Sequence, residues 1–242
     1  MVPCYNEERR LRADAFYAFL ADHRSVRILF VDDGSRDGTL RILNQLRERC
    51  DGRASILACE KNRGKAEAVR HGVEYVLQHF AAEIIGYWDA DLATPLTAVN
   101  GFLNVLNEHP EVLMVFGARV KLLGRHVERR AVRHYLGRVF ATAVSTILRL
   151  PIYDTQCGAK LFRVDAAARA VFADPFLSKW VFDVEILARY LEFFKGDTGR
   201  LAQAIYEYPL EEWVDVAGSK VHASDFLKAF VDIVRIRGKY LQ

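Results

Sequence analysis

Through the first 117 residues, short apolar runs alternate with segments of helical period. That alternation restricts the chain to βαβ units built around a largely parallel sheet. The spacing predicts helices over 7–22, 37–50, 64–80 and 96–107, and strands over 26–31, 54–58, 83–88 and 111–117. In the first helix Leu11, Ala15, Phe19 and Leu20 are the inward residues. In the second, Asp37 is the expected N-cap, and Leu40, Leu43 and Leu46 share a face. Pro95 suits the first turn of the fourth. Beyond residue 117 the rhythm changes. A long helical pattern over 129–150 ends at Pro151, stretches 160–163 and 201–209 read as extended, and 166–172, 182–194 and 225–240 read as helices. Repeats, low-complexity tracts and long linkers are absent from the sequence. The two halves, divided near Asp91, are expected to share one continuous sheet.

The 242 residues suffice for a full core. A composition of 51% hydrophobic and 27% charged residues is that of an ordinary globular chain. A net charge of +3 is too small to argue for nucleic acid, and none is expected as a partner. The four cysteines are scattered without a C-x-x-C pair, which fits reduced thiols in the cytoplasm better than a disulfide frame or a zinc site. No apolar run reaches the length of a membrane span, and the N-terminus lacks the basic and apolar regions of a signal peptide.

Asp89-Ala90-Asp91 directly follows the apolar run Ile84-Ile85-Gly86-Tyr87-Trp88. Two alternate carboxylates at the end of a buried strand point into a cleft or form a solvated turn. Buried uncompensated charge is expensive, so the functional reading is a bound divalent cation, Mg or Mn, shared with a diphosphate. Three further segments precede it: Val2-Pro3-Cys4-Tyr5-Asn6-Glu7-Glu8, then Phe30-Val31-Asp32-Asp33-Gly34-Ser35-Arg36-Asp37-Gly38-Thr39, then Asn62-Arg63-Gly64-Lys65-Ala66. In this order and spacing the four resemble the nucleotide-binding half of a family 2 glycosyltransferase. Gly117-Ala118-Arg119, the run from Asp154 through Gln156 and Gly158 to Phe162, Phe182-Asp183-Val184-Glu185 and Gly218-Ser219-Lys220-Val221 are similar to the branch that loads glucose onto dolichyl and other polyprenyl phosphates.

The resemblance implies a GT-A (Rossmann-like) α/β fold, with a mixed, mostly parallel sheet flanked by helices in one domain over 1–242. Residues 1–91 would form the nucleotide-sugar half and 92–242 the acceptor half. Relatives usually begin with a full apolar strand before the V-P-x-Y-N-E segment; here only Met1 and Val2 stand in that place, so a weakened first strand is expected.

The resemblance also implies site residues. Pro3, Tyr5 and Glu7 would border base and ribose. Asp32 or Asp33, with Asp33 favoured, would accept the ring N–H of the base at the C-terminal end of a parallel strand; the same residues are also good turn chemistry. Lys65 opens a helix and is either a solvated cation or a phosphate or ribose contact. Asp91 is the main metal ligand and a catalytic candidate, and Asp89 contacts the ribose or completes the metal shell. Residues 119–138 carry seven Lys or Arg against one acid, Glu128. Such a run is a solvated face or a site for an acceptor phosphate, whose geometry suits arginine; Arg119, Arg133 and Lys220 match that role.

Asp154 is a general base or an orienting group, since a phosphate acceptor is already anionic and needs no base. Cys157 reads as packing. Asp183 and Glu185 fit either capping with a salt bridge or a substrate role. Apolar residues 139–150 and the basic amphipathic pattern near the C-terminus are buried elements or membrane-surface helices. The implied function is metal-dependent inverting transfer of a hexose from a nucleotide-sugar donor, with glucose from UDP-glucose favoured, to a polyprenyl phosphate. The chain would lie peripherally on the cytoplasmic membrane face. The alternatives are transfer to a hydroxyl acceptor and a non-catalytic nucleotide-sugar-binding relative.

Overall fold

The computed structural model describes residues 1–128, 131–216 and 223–241, without the side chains of 128, 131–134, 136 and 223–227. Strands β1 (Val2–Cys4), β2 (Ile28–Asp32) and β3 (Ala54–Ala58) pair in parallel, with Val2 beside Phe30 and Ile28 beside Ala54. Every residue of β2 is buried, as expected for a central parallel strand covered on both faces. The covering helices are α1 (Ala13–Asp22), α2 (Thr39–Arg49) and α3 (Lys65–His79).

Two helix starts differ from expectation. The helix expected from residue 7 begins only at Ala13. The backbone N–H of Glu7 donates to Thr39 Oγ1 (2.7 Å) and that of Glu8 to Asp37 Oδ2 (3.2 Å), which ties this stretch to the β2–α2 loop. In α2, Asp37 precedes the helix by two residues and accepts from the Thr39 N–H (3.0 Å). Its buried face is Thr39, Leu43 and Leu46, while Leu40 is exposed.

The second sheet contains β4 (Ile84–Trp88), β5 (Met114–Ala118), β7 (Ala159–Arg163) and β8 (Ile205–Pro209). Here β7 lies antiparallel between β4 and β5, and β8 runs parallel to β5. Met1 joins the two sheets: its amino nitrogen donates to Gly86 O (2.6 Å) and its carbonyl accepts from Trp88 N–H (3.0 Å). The spatial order is therefore β3-β2-β1-β4-β7-β5-β8. A short parallel pair, β6 (His126–Glu128) with β9 (Glu212–Val214), stands apart. At three residues each, these strands are too short to leave a period in the sequence.

Helix α4 (Ala98–Glu108) starts two residues later than expected, because Pro95 O accepts from Ala98 N–H in a preceding turn. Helices α5 (Ala131–Leu148), α6 (Ala166–Ala173), α7 (Phe182–Phe193) and α9 (Ala223–Tyr240) lie close to their expected positions. The strand expected over 201–209 is half helix. Residues Thr198–Ala204 form α8, capped by Asp197, which accepts from Arg200 N–H (2.9 Å) and lets Leu201 and Ala204 bury together. In α7 every residue from Phe182 to Leu191 is buried, including Asp183, Glu185 and Arg189. Among the described residues, no helix is long and apolar enough to cross a membrane.

Candidate active site

A cleft of about 950 Å³ opens where the C-terminal ends of β1, β2 and β4 face the α5 region. Pro3, Tyr5, Glu7, Asp33, Lys65, Asp89, Asp91, Arg119 and Asp154 all line it. Residues separated by up to 151 positions thus meet in one cavity, at the strand ends where open α/β sheets bind ligands. Asp32 does not line it: its buried carboxylate accepts from Ser35 N–H (3.3 Å) and shapes the turn. Arg133 lies on α5 with its side chain outside the description, and Lys220 lies outside the described residues.

Asp33 clamps the loop before α3. It accepts from Asn62 Nδ2 (2.9 Å), Arg63 N–H (2.9 Å) and Gly64 N–H (2.8 Å). Burial raises its pKa despite the opposing backbone donors. Gly64 adopts φ +97°, a conformation that only glycine reaches without strain. Glu7 is held by Arg10, whose Nε and Nη2 donate to its two oxygens at 2.9 and 2.6 Å.

The acidic pair is asymmetric. Lys65 Nζ lies 2.5 Å from Asp89 Oδ1 and compensates that carboxylate. Burial would lower the Lys65 pKa, but Asp89, with Asp183 and Asp91, raises it above its ordinary value. Among the described residues Asp91 accepts from Ala93 N–H (3.1 Å) alone. Burial first, then the neighbouring Asp89, raises the Asp91 pKa. Of the two, Asp91 is therefore the carboxylate whose charge a cation would relieve.

Two hard oxygen donors suit Mg or Mn. Among the described residues no group of three or more His, Cys, Asp or Glu is placed to hold a metal. Phosphate oxygens and water would have to fill the remaining coordination positions. Gly158 packs against the Asp89 carboxylate so closely that an added Cβ would overlap it. Gly158→Ala is expected to displace Asp89 and to lower turnover about 10²-fold, the usual scale for a 1 Å misplacement. Steady-state kinetics on the variant check this.

Elsewhere in the cleft Asp154 and Arg119 form a bidentate pair, with Nε to Oδ2 at 2.5 Å and Nη2 to Oδ1 at 2.7 Å. Burial opposes the Arg119 charge, but Asp154 outweighs it and raises the Arg119 pKa. The guanidinium also lies over the Trp213 ring, 5.2 Å from its centroid. Half-buried Glu207 organises this loop by accepting from Tyr153 N–H (2.9 Å) and Asp154 N–H (2.5 Å). Cys157 is fully buried and burial raises its pKa, in keeping with packing rather than nucleophilic chemistry.

Sequence reasoning did not single out Lys160, Thr155, Gln156 or Arg138. Lys160 is 1% exposed, its Nζ lies 3.0 Å from Asp183 Oδ1, and it donates to Cys157 O (2.7 Å). A lysine inside the apolar strand Ala159–Arg163 was a legible signal, since a buried cation requires a partner. Arg138 stacks on Tyr153 at 3.7 Å and lines the cleft. Of the pair Asp183 and Glu185, Asp183 lines the cleft, and Glu185 is an interior structural carboxylate.

Comparison with known proteins agrees with this arrangement. The family model described as Glycosyl transferase family 2 matches residues 1–170. A dolichyl-phosphate beta-glucosyltransferase from Dictyostelium discoideum is 31% identical over 259 residues, covering 100% of this chain and 74% of that protein. The Homo sapiens protein of the same name is also 31% identical, with 100% and 75% covered. Among solved structures, glucosyl-3-phosphoglycerate synthase from Mycobacterium tuberculosis, in complex with Mn2+ and uridine-diphosphate-glucose, superimposes with a TM-score of 0.69 at 15% identity, covering 98% of this chain and 77% of that one. The fold is the GT-A fold, mixed and largely parallel. With strand order, cleft and sequence in agreement, the chain belongs to glycosyl transferase family 2.

Proposed function

We propose that this glycosyltransferase moves a hexose, glucose from UDP-glucose, onto a polyprenyl phosphate by a metal-dependent inverting displacement. The observation that carries the reading is full-length similarity to dolichyl-phosphate beta-glucosyltransferases in a chain whose acidic strand ends and arginine-bearing acceptor side share one cleft. Residues 1–91 form the donor half and 92–242 the acceptor half. Pro3, Tyr5 and Glu7 border the base and ribose, and Asp33 retains an acceptor position on Oδ1 for a ring N–H. A divalent ion held by Asp91, with Asp89 beside it, would supply Lewis-acid stabilisation of the leaving diphosphate. Lys65 adds a fixed cation against the same charge. Arg119, kept in place by Asp154, and Arg133 with Lys220 receive the acceptor phosphate. Incubation with labelled UDP-glucose, manganese and a polyprenyl phosphate is expected to move label into the organic phase. Label confined to water-soluble products would refute the lipid acceptor.

Asp154→Asn separates phosphate from hydroxyl acceptors. With both carboxylate oxygens engaged by Arg119, Asp154 is a positioning residue. The variant is expected to lose about tenfold, the scale of one charge-assisted hydrogen bond, with an unchanged pH–rate profile. Complete loss, with disappearance of the basic-limb pKa, would instead make Asp154 the base for a hydroxyl.

The acceptor lipid also implies a membrane surface on the cytoplasmic face. Tyr135 and Val139 of α5, and Phe230, Val231 and Val234 of α9, are exposed, and Phe140 meets Phe230 at 6.4 Å. Exposed Lys228, Arg235 and Arg237 border them, as suits an anionic leaflet. Gly137, Arg138, Phe140 and Ala141 of α5 also line the cleft, so an acceptor tail would leave the site along this face. Val139→Asp with Val234→Asp is expected to abolish co-sedimentation with anionic vesicles; unchanged sedimentation would refute this face.

A further inference from the structure

We propose that Glu207, which lies outside the cleft, is the positioning residue for two cleft arginines, Arg119 and Arg138, and that Arg138 is a further cation for the acceptor phosphate. The inference rests on the transferase reading above and deepens it. Glu207 stands on β8 opposite Phe116 of β5 and is half-buried. Its carboxylate accepts from Tyr153 N–H (2.9 Å) and Asp154 N–H (2.5 Å). Those two residues hold the two arginines. Asp154 accepts from Arg119 Nε (2.5 Å) and Nη2 (2.7 Å). The Tyr153 ring lies under the Arg138 guanidinium, 3.7 Å from ring centroid to charge centre, and the Tyr153 carbonyl accepts from Arg138 Nη1 (3.2 Å). One carboxylate on β8 thus fixes the loop that sets both arginines, one just past β5 and one on α5. Arg119, Arg138, Tyr153 and Asp154 line the cleft, and Glu207 does not.

The loop requires such a brace. Residues 153 and 154 belong to no helix or strand, so their N–H groups gain no ladder partner, and an unpaired N–H away from water is costly. Apolar packing leaves the loop room to shift. A cavity of about 70 Å³ lies between it and β8, lined by Leu150, Pro151, Ile152, Leu201 and Glu207. Burial raises the Glu207 pKa, so the carboxylate is held there against its own desolvation. The Arg138 charge is the unbalanced part of this arrangement. Arg119 faces the Asp154 carboxylate, whereas a ring and a carbonyl are neutral partners, and among the described residues no carboxylate pairs with Arg138. A half-buried arginine with neutral partners attracts an anion, and its remaining N–H groups match the oxygens of a phosphate.

The test is steady-state transfer from UDP-glucose to a polyprenyl phosphate, with manganese, beside calorimetric titration with UDP. Arg138→Ala is expected to raise the acceptor KM about tenfold or more, the scale of a hydrogen bond to a charged group, and to leave UDP binding unchanged. Glu207→Ala is expected to do the same by about tenfold or more, through displacement of the loop. In Glu207→Gln one oxygen can still take both N–H groups, as Oε1 does now. That variant is expected to restore the acceptor KM to within about threefold of the wild type. A merely structural role would lower thermal stability without this selectivity for the acceptor. Glu207→Met keeps a similar length and offers no oxygen, and it decides the matter if Glu207→Ala does not fold. An unchanged acceptor KM in Arg138→Ala or in the folded Ala or Met variant, equal weakening of UDP and acceptor, or no rescue by Glu207→Gln would overturn the inference. A wild type that binds UDP but transfers to no polyprenyl phosphate would overturn the acceptor reading instead.

Discussion

Replacing Asp91 with Asn is expected to reduce sugar transfer by at least about 10³-fold, the rate equivalent of losing several kcal/mol of charge stabilisation at the leaving diphosphate. The same substitution is expected to leave the fold intact and to raise its stability slightly at neutral pH. Asp91 is half-buried, has the Asp89 charge beside it and, among the described residues, accepts one backbone hydrogen bond. Its folded-state pKa is raised above the unfolded value, so the native state binds the proton more tightly. Stability from this group is greatest below the unfolded pKa and falls as pH rises through the folded one. At neutral pH the ionised Asp91 therefore opposes folding, and Asn removes that opposition. Thermal unfolding of both proteins across pH 3–7 and a labelled transfer assay measure the two effects. A variant that transfers at the wild-type rate would remove Asp91 from the metal role. A variant that unfolds earlier at pH 7 would refute the electrostatic account of the empty protein.

The largest effect on stability is expected at Glu185→Ala, about 3–5 kcal/mol, the usual cost of breaking a buried ion pair from one side. Glu185 is 0% exposed. Its carboxylate accepts from Leu177 N–H (2.8 Å), Ser178 N–H (3.3 Å), Arg189 Nη2 (2.8 Å) and the Tyr240 hydroxyl (2.9 Å). It thus binds the segment before α7, α7 itself and the end of α9 into one unit. Without it, Arg189 keeps its bonds to Val171 O, Asp174 O and Pro175 O but loses its counter-charge in the interior. A loss of that size is a large fraction of the stability of an ordinary domain. Urea unfolding gives the measurement; a change below about 1 kcal/mol would mean that the interior is more polarisable or wetter than this geometry implies.

Much of the fold was legible because period and burial coincide. Strand 54–58 falls where its apolar run lies, and β7 differs from its reading by one residue. The misplaced boundaries have local causes that depend on distant residues. The helix expected from Glu7 waits for Ala13 because Thr39 and Asp37 hold the preceding backbone. The strand expected from Leu201 is partly α8 because Leu201 and Ala204 bury on one helical face, and a short apolar run does not distinguish strand from helix. The antiparallel position of β7 between β4 and β5 is a matter of topology.

For the site, the order of the acidic and glycine-bearing segments was enough to place Pro3, Tyr5, Glu7, Asp33, Lys65, Asp89 and Asp91 among the cleft-lining residues, because chemistry at strand ends needs particular side chains at fixed chain positions. The sequence by itself determined the α/β class, the family resemblance and the candidate carboxylates. Only the tertiary structure decided how those charges divide. Lys65 is committed to Asp89, Arg119 to Asp154, Lys160 to Asp183 and Arg189 to Glu185, whereas Asp91 has no cationic side chain committed to it among the described residues. Ion pairing depends on a few ångströms between groups that can be far apart in the chain, and the distance between them exists only once the strands have been ordered and the helices packed.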